Sequence, residues 1–484
     1  MIFGQLLTLV SGKDGPGVCV DSRLVKKGDI FIAVKGTHVD GHNFIEKAIE
    51  QGAKYIVAQS NRHYPNNQRD NMQYEFIAVA NTAKAAALLA QAQKGNPASK
   101  LTNLAVTGTN GKTTVAYLVR SIINSAGFRC GLMGTVEYDT GKEVFQSKLT
   151  TPDCFTIAEI TRQMADAGAK YMVMEASSHS LDQDRIEGIC FKAAAFTNLT
   201  GDHLDYHKTK DSYLVAKTKL FEGLSDKSCA VLNKQSPQSA GIAGKTPAQI
   251  IWYAVDEPAD ITAYTESIGI CGTAFEIVYK GRSEKIKTVL VGKYNVSNCL
   301  AAAGLCLAAG FDLKTIAEGL SAFKAVPGRL QKVSCNGDFT VLVDYAHTDD
   351  ALKNVLETLK PICRGNLIVV FGCGGDRDRT KRPRMAKVTE RYADLIIVTS
   401  DNPRTEKPQK IIEEIITGFE KRSSKKIFVE PDRKSAIKLA LESVHKDDIV
   451  LIAGKGHENY QILADKTIHF SDEETAAEFL KKQQ

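Results

Sequence analysis

The segment Gly108–Thr109–Asn110–Gly111–Lys112–Thr113–Thr114 has the make-up of a loop that cradles phosphate. Glycines let backbone N–H groups converge on phosphate oxygens, and a following helix adds the positive end of its dipole. Lys112 would pair with terminal phosphates, and the Thr113 hydroxyl would ligate Mg²⁺. The first glycine comes two residues later than in GxxxxGK[ST], because position 106 is Val, so this is a shortened variant. Glu175 follows the apolar run Tyr171–Met174, where a Mg²⁺-organising acid sits in a nucleotide-hydrolysing sheet. Asn198 and then Asp202, His203, Asp205 and His207 follow Ala193–Phe196. With no third neutral ligand at matching spacing and no Cys nearby, this group reads as a magnesium or substrate shell, not a zinc site. Lys217, in Ala216–Phe221, reads by residue type alone as a surface lysine.

These groups need elements to hold them. A short strand, Leu104–Val106, leads into the glycine loop; Val115, Leu118, Val119, Ile122, Ile123 and Ala126 then repeat at helical spacing, with Gly127 placed to end the helix. Before it, β-like runs at Asp29–Val34, Tyr55–Val57 and Phe76–Val79 precede a helical stretch Thr82–Ala92 and a break at Gly95–Pro97. A second boundary falls near Val326–Gly328, after the helical stretch Leu313–Phe323. Beyond it, strands ending at Asp344, Phe371, Thr399 and Ala453 alternate with helical stretches such as Pro408–Phe419 and Lys434–Val444. Alternation of this kind predicts a parallel sheet covered by helices, with ligands at the carboxyl ends of the strands. The expected architecture is three α/β domains: a mixed α/β domain over residues 1–97, a P-loop ATPase-like parallel sheet over 98–326 and a Rossmann-like domain over 327–484. The stretch FGCGGDRD superficially suggests a dinucleotide fingerprint, but Arg377 stands where its third glycine belongs, which rejects NAD.

Bulk composition narrows the class. A net charge of +6, dispersed along the chain, is too weak to argue for nucleic acid but suits the gathering of anionic small molecules. The longest mostly apolar run, Cys299–Phe311, is too short for the ~20 residues of a membrane span. The opening residues carry no basic stretch ahead of their apolar run, so no signal peptide is expected. The 11 cysteines are scattered without a CxxC pair, which fits a reducing cytoplasm.

The ordered stretches GTNGKTT, MEASSHSL, TNLTGDHLDYH, AKTKLF, GKYNVSN, PGRLQ, VDYAHT, FGCGGDRDRTKRP, SDNPR and AGKGHE together resemble the Mur ligase family of peptidoglycan synthesis, in particular its members that add the third amino acid. The stretches at Asp21–Arg23 and Val34–Ile45 resemble the family's UDP-binding domain, so the likeness spans nearly the whole chain. The resemblance implies that Gly108–Thr114, with Asn198, Asn295, Asn298, Arg329 and Asp344, contact ATP. It implies magnesium ligation by Thr113, Glu175 and His203, and by Lys217 if carbamylated, since a carbamate turns a cation into an anionic oxygen ligand. Lys112, Glu175, His203 and Lys217 would be the catalytic set. Ser22 would contact UDP, and Thr150, Thr151, Ser177, Gln183 and Arg185 the muramoyl-dipeptide.

The implied chemistry is ATP-driven amide formation through an acyl phosphate, attacked by the amine of a free amino acid. Carboxylate and γ-phosphate repel, so Mg²⁺, Lys112 and positioning must bring them together. The sequence names no base for the amine. Meso-diaminopimelate carries a distal carboxylate that L-lysine lacks. Asp401–Asn402–Pro403–Arg404 supplies a guanidinium for it, which would repel a lone ammonium. Glu458, in GKGHE, would take the distal amine and Arg377 the near carboxylate, with Gly454 in the same diaminopimelate subsite. The expected partners are therefore ATP, the UDP-muramoyl-dipeptide and meso-diaminopimelate, with no nucleic acid or membrane, in a cytoplasmic monomer. The alternatives are addition of L-lysine, a folylpolyglutamate synthetase-like ligase without the UDP-type first domain, or a P-loop switch that makes no amide.

Overall fold

A computed structural model describes residues 1–12, 14–37, 39–61, 74–201, 204–420 and 425–482. Three large sheets, each with its own helices, succeed one another along the chain, and a two-stranded ribbon, Tyr460–Ile462 with Thr467–His469, follows the last. The first holds four parallel strands in sequence order, Val18–Cys19, Ile30–Ile32, Tyr55–Gln59 and Glu75–Val79. The helix Thr82–Gln93 closes this unit, capped by the Asn81 side chain, which accepts from the N–H groups of Ala83 and Lys84. That helix also docks on the next unit, through an Asn81 Nδ2 bond of 2.8 Å to Asp184 and a Lys94–Glu159 ion pair of 2.7 Å.

The second sheet has eleven strands. Its middle seven are parallel, in the order Ile261–Gly269, Gln249–Val255, Cys229–Asn233, Phe191–Phe196, Thr102–Thr107, Tyr171–Glu175 and Cys130–Met133. Antiparallel strands extend both edges: Gly272–Tyr279 and Arg282–Thr288 at one, Glu137–Asp139 and Val144–Gln146 at the other. Thr102–Thr107 is covered on both faces, which explains the apolar run Leu104–Val106 within it. Leu104 and Val106 pack with Val115, Leu118, Val119, Ile122 and Ile123 of the helix Lys112–Ser125, whereas Ala105 faces Met174 and Ala194. The glycine loop thus leaves the middle of the sheet at a carboxyl edge and enters a helix anchored by its apolar face.

The third sheet runs Gln331–Val333, Thr340–Asp344, Ile449–Ala453, Leu367–Phe371, Leu395–Val398 and Lys426–Val429, parallel except for the first. Strand ends expected at Asp344, Phe371 and Ala453 fall there, and the one expected at Thr399 falls one residue earlier. In the connection into this unit, Gly328 has φ +66°, and its backbone lies so close to Gly456 and His457 that any Cβ would overlap them. Among the described residues no helix is long and apolar enough to cross a membrane.

Candidate active site

The glycine loop is held from below. Asn198, just past the strand Phe191–Phe196, accepts from the Asn110 N–H at 3.0 Å and donates to the Asn110 carbonyl at 3.2 Å. Gly111 has φ +90° and would drive a Cβ into the Asn298 amide, so only glycine fits. Asn298 in turn donates to Asn295 on the same helix, Lys293–Ala308. Lys112 Nζ folds back to the Gly108 and Thr109 carbonyls at 3.0 and 2.9 Å.

Thr113 Oγ1 donates to Glu175 Oε2 at 3.1 Å and accepts from Arg329 at 3.3 Å. Glu175 is wholly buried and also accepts from the Thr135 N–H and hydroxyl, at 2.8 and 2.9 Å. Lys217 is no surface lysine: it is 1% exposed, donates to the Gly108 carbonyl at 2.7 Å and lies over the Tyr213 ring. Its helix, Lys210–Glu222, packs that face inward, which residue type alone does not reveal. Asp202 and His203 lie outside the described residues, and among those described no cluster of three His, Cys, Asp or Glu could hold a metal.

Two clefts adjoin at this point. The first, of ≈ 210 Å³, is lined by Thr109–Thr114, Glu175, Asn295, Asn298, Arg329 and Asp344. Arg329 lies over the Tyr345 ring, and Asp344 accepts from the Leu330 and Ala346 N–H groups. Burial raises the Asp344 carboxyl, against the pull of Arg329 and those two bonds. The second, of ≈ 550 Å³, is lined by Thr150, Thr151, Ser177 and Arg185 of the central unit and by Arg377, Asp401, Asn402, Arg404, Gly454 and Glu458 of the last. Thr135, Thr150, Tyr345, His347 and Thr348 line both.

On the central side, Thr151 ties the wall together. Its hydroxyl donates to the Glu175 carbonyl and accepts from the Ser177 N–H, and its carbonyl accepts from Arg185. Gln183 does not line the cleft but receives two bonds from Arg185, fixing that guanidinium. On the other side, Asn402 donates to Glu458 at 2.8 Å and accepts from Lys455 at 3.2 Å. Lys455 is fully buried and also meets Glu458 at 3.0 Å. Burial raises the Glu458 carboxyl, with Lys455 opposing. Burial would raise Asp401 too, but Lys455 and Arg433 hold it below the usual carboxylate range. Arg404, at φ +52°, reaches the Gly375 carbonyl at 2.9 Å while facing the cleft, whereas Pro403 does not line it and its carbonyl accepts from the Glu406 N–H. Ser22 is buried in the first unit and lines neither cleft.

Sequence reasoning missed Thr135, Tyr345, His347, Lys381, Lys455 and His457. His347 and His457 sit in the quoted stretches VDYAHT and AGKGHE, the signal that could have found them. Burial, with the charges of Arg329 and Lys455, pushes His457 down to about 4 despite a hydrogen bond with the Thr135 backbone.

A phosphate loop, a buried acid at the next strand end and a cleft rich in cations beside them define a nucleotide-driven enzyme acting on anionic small molecules. The chain belongs to the Mur ligase family. Residues 16–94 match the family's catalytic domain, 106–306 its middle domain and 328–456 its glutamate ligase domain. The chain is 43% identical over 464 residues to a UDP-N-acetylmuramoyl-L-alanyl-D-glutamate–2,6-diaminopimelate ligase of Clostridium tetani, covering 96% of this chain and 94% of that one. It is 42% identical over 469 residues to the ligase of the same description from Geobacillus thermodenitrificans, covering 96% and 94%. A solved structure of such a ligase superposes with a TM-score of 0.68 at 33% identity, over 96% and 95% of the two chains. A Mycobacterium tuberculosis folylpolyglutamate synthase shares the fold, with a TM-score of 0.63 at 18% identity over 75% of this chain.

Proposed function

We propose that this chain joins meso-diaminopimelate to the γ-carboxylate of UDP-N-acetylmuramoyl-L-alanyl-D-glutamate at the expense of ATP, in the cytoplasmic assembly of peptidoglycan precursors. The observation that carries the reading is the cleft where Arg404 and Arg377 face Asp401 and Glu458, directly beside the phosphate loop. Such a cleft offers cations for two carboxylates and acceptors for an amine, which suits a diamino diacid better than lysine. One chain supplies both clefts, which supports a monomer.

In this reading ATP lies in the smaller cleft, its phosphates on the N–H groups of residues 108–114. The dipeptide lies along Thr150, Thr151, Ser177 and Arg185, with its γ-carboxylate toward Thr135 and Thr150, where the clefts meet. Its UDP end extends to the first unit, at Ser22. Carboxylate oxygen attacks the γ-phosphorus and ADP leaves. The amino-acid amine then attacks the acyl carbon, loses a proton, and phosphate departs. Lys112 neutralises the transferring phosphoryl group, and Arg329 can leave Thr113 to do the same. The walls of both units exclude water that would hydrolyse the acyl phosphate.

Thr113 and Glu175 present hard oxygen donors beside the loop, which suits Mg²⁺. They would hold it, with His203 as a further ligand, and when bound it would neutralise phosphate charge. Lys112 and Lys217 both donate to the Gly108 carbonyl, placing two ammonium groups together. Carbamylation of Lys217 would replace that repulsion with attraction, which supports its assignment as a carbamate.

The test is phosphate release from ATP with the UDP-dipeptide and a panel of amino acids. Release only with meso-diaminopimelate is expected; equal turnover with L-lysine would overturn the substrate assignment.

A further inference from the structure

Behind the larger cleft lies an ion pair that none of its functions so far requires. Arg433 and Asp472 are both 0% exposed and meet through two bonds of 2.7 Å. Arg433 opens the helix Arg433–Glu442 and Asp472 opens the helix Asp472–Lys482. A carboxylate suits a helix N-terminus, but a guanidinium there opposes the dipole. A buried ion pair is also a poor source of stability, because desolvation cancels most of the attraction and a well-packed apolar pair does as well or better.

The guanidinium does something an apolar pair cannot. It donates to the Ser400 carbonyl at 3.2 Å and to the Ala453 carbonyl at 3.0 Å. Ser400 immediately precedes Asp401–Arg404, and Ala453 immediately precedes Gly454–Glu458. The strands behind these two segments, Leu395–Val398 and Ile449–Ala453, are not neighbours, because Leu367–Phe371 runs between them. No ladder bond sets the spacing of their ends. Asn402 and Lys455 join the two segments at the cleft, and Arg433 spans the gap behind them at the backbone, where a Cβ on Gly454 would touch both Asp401 Oδ2 and Arg433 Nη2, at 3.3 and 3.9 Å.

We infer that Arg433, oriented by Asp472, is a positioning residue that holds the two halves of the amino-acid subsite at the separation its ligand needs. The inference rests on the larger cleft being that subsite. The guanidinium also lies under Asp401 and helps keep it ionised, ready for an ammonium group.

The test uses the full chain with two variants, R433K and the apolar replacement R433M/D472L. Melting checks folding, and KM is measured for meso-diaminopimelate and for ATP together with kcat. In the double variant we expect a cooperative melt, a rise of at least tenfold in KM for the amino acid, and an ATP KM within twofold of the parent. R433K, which keeps the charge but cannot reach both carbonyls and the carboxylate, should fall between. An unchanged amino-acid KM in a folded variant, or an equal rise in both KM values, overturns the inference. So does failure of both variants to fold, which would make the pair a folding element. If the parent protein prefers another amino acid, the substrate reading fails alone, and the KM shift is read with that amino acid.

Discussion

Asn110 Nδ2, in the phosphate loop, donates to Asp350 Oδ2 at 2.8 Å, so the tip of the central unit is fastened to the first turn of the helix Asp349–Leu359 in the last. Burial raises the Asp350 carboxyl, and the bond from Asn110 opposes that rise. A hydrogen bond to a carboxylate contributes about 1.5–3 kcal/mol. Asp350→Ala should therefore loosen the approach of the two units, raising KM for ATP about tenfold with little change in melting temperature. Small-angle scattering should show a larger radius of gyration; an unchanged radius and KM would dismiss the link.

Lys112→Ala should abolish phosphate release while the UDP-dipeptide still binds, because Lys112 faces only the smaller cleft. Isothermal titration separates the two effects, and near-normal turnover would refute the phosphate-loop assignment. Lys217→Ala should lose most activity and regain part of it with added short carboxylates, which can stand in for carbamate oxygens. A bare ammonium in the active enzyme, seen by carbon-13 labelling with bicarbonate, would count against this.

Arg404→Ala should raise KM for meso-diaminopimelate steeply, by about 2–5 kcal/mol of binding, the range for removing one partner of a buried charge pair. Lysine at this position should recover only part of it, since a point charge cannot make the two-pronged contact. The outcome that defeats the assignment is an alanine variant with parental KM.

His457 predicts a pH dependence of stability. Unfolded, the imidazole titrates near 6.5; folded, it titrates at about 4. Between those values the unfolded chain binds a proton that the folded chain does not. The stabilisation is complete above 6.5 and is lost as pH falls through the window, by up to about 1.4 kcal/mol per pH unit. Melting temperatures at pH 7 and pH 5 should diverge more in the parent than in His457→Gln. Parallel losses in both proteins would remove His457 as the cause.

How much of this was legible beforehand differs by residue. The phosphate loop was, because its signal is local: a strand, glycines and a helix of fixed period lie within a few turns of chain. Arg404 and Glu458 were, because ordered motifs carried them to strand ends. Lys217 was reached through the AKTKLF stretch, but its burial was not legible, and Lys455, Arg433 and Asp472 were not legible at all. A charged residue reads as surface unless its partner is known, and Arg433 finds Asp472 39 positions away. Thr135 was missed for the same reason, since its importance lies in touching Glu175 from a loop 40 positions earlier. The edge ribbons of the central sheet also escaped, as alternation of strands and helices carries no information about antiparallel additions.

The close packing of Gly328 on Gly456 and His457 clamps the start of the last unit to the segment that carries Glu458. Any side chain at position 328 would have to push that segment aside, so the larger cleft is sensitive to a substitution that lines neither cleft.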